Sequence, residues 1–237
     1  MSPEIWTLIG LAAFLGFFHT LIGPDHYVPF IMMAAARGWS RTKTALITLI
    51  CGIGHVASSV ILGFLGVAFG IIAREKVDAL DSARGDLAAW ALMTFGLVYL
   101  IWGIRQAYKN KPHTHRHIHT DGSTHEHEHT HHEEHTHVHA EPKKAGITPW
   151  ALFVIFVLGP CEILIPILII TEMQSSLSGL VLVTTAFALA TIGTMLAMVL
   201  IATYGFRLLP LKRMERYSHA IAGAMICLCA LAIHLGL

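Results

Sequence analysis

The chain has 237 residues, 54% of them hydrophobic and only 13% charged, with a mean hydropathy of +0.62. Soluble domains carry about 25% charged residues, so this composition excludes an ordinary soluble protein and calls for a lipid-embedded one. A net charge of +1 is uninformative about nucleic acid, and with no basic face to suggest it none is expected as a partner.

Apolar runs cover roughly 4–36, 44–73, 87–106, 148–172, 177–206 and 217–237. A span needs about 20 apolar residues, which predicts an all-α integral membrane protein with six transmembrane helices. The segment before Arg37 holds no Lys or Arg, lacks the basic start of a signal peptide, and reads as a retained helix.

The first run contains His19-Thr-Leu-Ile-Gly-Pro-Asp25-His26. A straight helix over 4–36 would run about 50 Å, against a hydrocarbon core of about 30 Å. Gly23-Pro24 therefore predicts a break. Ionisable groups at that depth mark a functional site, and a broken helix there must line a protein-buried or watery cavity. The second run carries Gly54-His55 at its centre, and the fourth carries Gly159-Pro160-Cys161-Glu162.

The two halves echo each other. Gly23-Pro24 answers Gly159-Pro160, Pro29 answers Pro166, and Gly54 and Gly66 answer Gly193 and Gly205 at equal spacing. Three spans per half reverse the sense of the second, which predicts two inverted three-helix repeats with helices 1 and 4 broken. The divisions are 1–108, a His-rich connection over 109–147, and 148–237.

Thirteen of the 16 Lys and Arg fall in 37–43, 105–144 and 207–216; only Arg74, Lys76 and Arg84 fall on the other side. The positive-inside rule then predicts a plasma-membrane protein with both termini outside and the connection cytoplasmic. Residues 113–139 hold 12 histidines interspersed with acids. Such a stretch has nothing to bury and reads as a disordered loop that binds transition ions exchangeably.

Depth alone brings His19, Asp25, His26, His55, Cys161 and Glu162 to one level as candidate metal ligands. Asp25 is either a ligand or the acceptor that fixes a histidine tautomer. Glu162 is either a ligand or a proton-coupled carboxylate, and Cys161 is equally a packing residue. Cys51, Cys227 and Cys229 read as packing residues, and so do Ser58 and Ser59. Imidazole with carboxylate suits nickel, cobalt and zinc, whereas magnesium and calcium want oxygen shells.

These motifs together resemble the NicO superfamily of nickel/cobalt transporters, in its compact urease-accessory (UreH-like) branch, over essentially the whole chain. The resemblance implies transport of a divalent ion, nickel or cobalt with zinc also admitted, by His19, Asp25 and His26. The ion would be cargo, with no separate cofactor. The implied partners are the bilayer and a cytosolic metallochaperone or a urease or hydrogenase maturation factor. One departure is that nickel permeases have four residues, not five, between the first His and Asp-His, and eight spans. Two rivals remain open: an intramembrane zinc-dependent hydrolase acting on a lipid, and a metal-binding protein that does not translocate.

Overall fold

A computed structural model describes residues 3–69, 71–109, 113–118, 124–129, 147–159, 161, 163–174, 177–208 and 216–235. The first apolar run forms helix α1 (Pro3–Ile22), a 3-10 turn (Pro24–His26) and α2 (Val28–Arg37). Then come α3 (Arg41–Phe69), α4 (Ile71–Lys109), α5 (Ile147–Leu158), α6 (Leu164–Gln174), α7 (Leu177–Leu208) and α8 (Ser218–His234).

Most of the His-rich connection lies outside the described residues. Within it, β1 (His113–Ile118) and β2 (Thr124–His129) pair antiparallel, His113 opposite His129.

Among the described residues four helices are long and apolar enough to cross a membrane: Pro3–Ile22, Arg41–Leu65, Ala79–Tyr108 and Leu177–Gly205. Two shorter apolar helices, Thr148–Leu158 and Ser218–His234, accompany them. Large apolar side chains face outward all along these elements, among them Trp6, Phe14, Ile61, Trp90, Val98 and Ile201. In water such a surface would aggregate; in lipid it is the solvated face. Hydroxyls inside the helices fold back on their own backbone, as Thr20 does on the Gly16 carbonyl (2.9 Å) and Thr194 on that of Ala190 (2.7 Å). This satisfies those donors without water, although the Thr48 and Thr191 hydroxyls stay buried without a partner.

Small residues hold the helices together, as expected where lipid removes the hydrophobic drive between them. On α4, a Cβ at Gly96 would sit 2.8 Å from the Cys227 nitrogen, and Gly103 and Gly223 likewise press against the backbones of Ala220 and Leu100. These contacts seat α8 directly on α4. Gly16 lets α1 approach α7, where a Cβ would lie 2.9 Å from the Phe187 carbonyl oxygen. Gly54 does the same for α3 on α5.

Two apolar clusters result. One gathers Phe30, Met33, Leu92, Leu152, Phe156, Met195 and Ile226. The other gathers Ala12, Val56, Cys161, Leu164, Leu168 and Phe187. Phe156 of the first and Val56 of the second flank His55, so the histidine sits where the clusters meet.

Candidate metal centre

Pro24 has no N–H to continue the helical ladder, and α1 ends there. The Gly23 N–H closes the last turn on the His19 carbonyl (3.0 Å), and the Tyr27 N–H closes the 3-10 turn on that of Pro24 (3.3 Å). The Tyr27 hydroxyl donates to the Leu21 carbonyl (3.3 Å), which the break would otherwise leave bare. Glycine at 23 is a steric necessity: a Cβ would stand 2.7 Å from His26 Nδ1 and 2.9 Å from Asp25 Oδ1.

The hydrogen bonds assign the tautomers of two histidines. Both neighbours of His26 Nδ1 are acceptors, the Gly23 carbonyl at 3.2 Å and Asp25 Oδ1 at 3.1 Å. His55 Nδ1 faces the Phe156 carbonyl at 3.2 Å. In each ring Nδ1 therefore carries the proton, and Nε2 of the neutral ring presents a lone pair.

Nε2 of His19, His26 and His55 is in each case buried without a hydrogen-bond partner. The His26 ring meets that of His19 at 4.6 Å between centroids and that of His55 at 5.1 Å, both edge to face. One ring nitrogen from each of the three lies within 4.8 Å of the others. Each stranded polar nitrogen costs about 1–3 kcal/mol, and those of His26 and His55 are bare lone pairs. One ion with metal–nitrogen bonds of about 2.0–2.1 Å would satisfy all three after a small closure of the rings. The Asp25–His26 hydrogen bond is the carboxylate–histidine arrangement that orients a ligating imidazole.

The second break, between α5 and α6, is held differently. The Leu164 N–H bonds the Cys161 carbonyl (2.9 Å) and starts α6. The Cys161 N–H donates to Ser59 Oγ (3.0 Å), which also accepts from Arg84 Nη2 (2.9 Å). Arg84 Nη2 donates in addition to the Gly159 carbonyl (3.2 Å) and pairs with Asp81 at 3.3 Å. Arg84 thus ties α4 to α3 and to the break.

Among the described residues the group that could hold an ion is His19, His26 and His55. Asp25 stands behind His26. Cys161 is fully buried in the cluster with Leu164 and Phe187, outside that group. Glu162 and Pro160 lie outside the described residues. All four cysteines are free thiols.

The sequence reading counted Arg84 only as a loop charge and Ser59 as packing. An Asp and an Arg three apart at the start of an apolar helix were the available signal. The Phe156 carbonyl had none. A cavity of about 540 Å³ adjoins the three histidines and Asp25, walled mainly by apolar residues of α1, α4 and α5.

The fold and the site define an integral membrane protein of broken apolar helices enclosing a histidine-lined cavity. The family described as cytochrome C biogenesis protein transmembrane region matches residues 12–232, and the chain belongs to it. No curated protein and no solved structure matches the chain.

The family match corrects the resemblance to nickel/cobalt transporters and, with it, the expected transport of nickel or cobalt. The lipid-hydrolase alternative has no footing in that family either. The helix breaks behind those readings satisfy their backbone as any broken membrane helix does. They do not single out one cargo.

Proposed function

We propose that this protein serves cytochrome c biogenesis as a membrane-embedded metal-binding protein. One ion of the imidazole-preferring class, for which zinc and copper are the probes, is held by His19, His26 and His55. It is bound there, not carried across. The observation behind this reading is that one ring nitrogen from each of three buried or half-buried histidines converges within 4.8 Å, and that the Nε2 of each is without a partner. Asp25 orients His26 and supplies negative charge against the cation. Three nitrogens are one short of the usual four, so an ion held here would have room for an outside ligand from the adjoining cavity.

The same reading takes the architecture as two inverted three-helix repeats. Breaks recur at Gly23-Pro24 and after Leu158. The halves interlock in a crossed way, the broken helix of each (α1 or α5) packing on the second span of the other (α7 or α3). The charge distribution favours both termini outside and the His-rich connection in the cytoplasm, where it would exchange ions with a cytosolic metal carrier.

The test is metal content by mass spectrometry on purified protein, wild type against His26→Ala and His55→Ala. Each variant loses one zinc or copper per chain, and cells carrying it make less haem-stained c-type cytochrome. Unchanged metal content in both folded variants would dispose of the centre. Intact metal binding with no cytochrome defect on deletion of the protein would dispose of the role.

A further inference from the structure

The donor cluster sits at one end of a space far larger than an ion requires. A water occupies about 30 Å³, whereas this cavity measures about 540 Å³, within the range of about 300–1,000 Å³ that small organic ligands fill. Its walls are specific in shape. Leu15, Phe18 and Ile22 of α1 face one way, while Gly85, Ala88 and Ala89 give α4 a stretch with almost no side-chain bulk. The small residues of α4 leave room for a ring to lie against that wall.

Among the described lining residues the charged and hydrogen-bonding side chains are His19, Asp25, His26 and His55, with no Lys or Arg. That disfavours phosphate headgroups and porphyrin carboxylates, which need a cation in so apolar a setting. The mouth lies at the outer side of α1: Ile22 is 70% exposed and Phe18 39% exposed, although both line the cavity. α1 packs chiefly on α7 and α4 chiefly on α8, which leaves the gap between α1 and α4 open to the hydrocarbon. A ligand entering there must be lipid-soluble.

We propose that the cavity binds a lipid-soluble quinone or quinol. Its flat ring lies between Phe18 and the Gly85–Ala89 stretch, its tail leaves past Ile22, and one ring oxygen points to the open position of the histidine centre. This rests on the metal-centre reading and names the outside ligand of that site.

The experiment uses the full chain in nanodiscs, with a decyl-substituted benzoquinone as probe, decylbenzene as competitor, and metal content measured in parallel. Wild-type protein should bind the quinone saturably, with decylbenzene competing poorly. Ile22→Trp, a change at an exposed position, narrows the mouth, and Ala89→Phe fills the slot. Each should weaken quinone binding by about tenfold or more, as steric changes in apolar pockets do, with metal content unchanged. His55→Ala, which removes the ion, should weaken it as well.

Equal competition by decylbenzene, or wild-type affinity in both cavity variants, overturns the proposal while the metal centre stands. Full quinone affinity in His55→Ala overturns the placement of the ring oxygen at the ion. Wild-type protein that holds no ion at the histidines yet binds quinone overturns the metal centre instead.

Discussion

The two helix breaks use one backbone device for opposite purposes. At the first, Pro24 interrupts the ladder and the freed turn is crowded with chemistry: His19, Asp25 and His26 all lie within its reach, and Gly23 is bare so that they can fold back on it. At the second, the break contributes carbonyls. Phe156 orients His55 and Gly159 receives Arg84, while the one described side chain with metal affinity, Cys161, is turned into apolar packing. One break supplies candidate ligands and the other supplies the acceptors and clamps around them. A similar interruption in two halves therefore does not imply similar chemistry.

The largest expected effect tests the clamp. Arg84→Met strips Asp81, Ser59 and the Gly159 carbonyl of a shared charged donor, and breaking a buried ion pair costs about 3–5 kcal/mol. Thermal unfolding in detergent should show a marked drop in stability, with Arg84→Lys intermediate. A variant as stable as wild type would mean the second break stands without Arg84.

A smaller effect belongs to the first break. Asp25→Asn keeps an oxygen that accepts from His26 Nδ1 but removes the charge. Zinc affinity, read by competition with a chelator, should fall about 10–100-fold, the range for groups that orient a metal ligand. A loss of the whole site, as large as that in His55→Ala, would make Asp25 a ligand in its own right.

The smallest effect sharpens the contrast. Cys161→Ala removes a sulfur from a fully packed position and should cost about 1 kcal/mol of stability, leaving zinc affinity within about twofold, since an uncoupled site adds nothing to the other. Loss of the ion in that variant would place a ligand at the second break and erase the difference between the two.

Much of this site was legible along the chain because its causes are local. Pro24 breaks a helix wherever it falls inside one, and His19 and His26 straddle that break within a few residues. Depth in an apolar run also put His55 near their level. What could not be read is the direction of each ring. His55 is aimed by the Phe156 carbonyl, 101 residues away, a contact that exists only because Gly54 lets α3 approach α5. The family was misread for a related reason: broken membrane helices look alike in sequence whatever they serve.

By itself, then, the sequence determined the lipid environment, the all-helical spans, the two interruptions and the residues able to ligate an ion. Each of these depends on near neighbours: apolar length, a missing N–H, an imidazole seven residues from another. Tertiary structure alone decided that a ring nitrogen from each of three histidines converges, that Cys161 is packed among apolar side chains, that Arg84 serves the second break from α4, and that a mainly apolar cavity adjoins the histidines. Those outcomes depend on which helix faces which. Helix facing is set by glycine and alanine contacts between distant segments, and these leave no periodic signature along the chain.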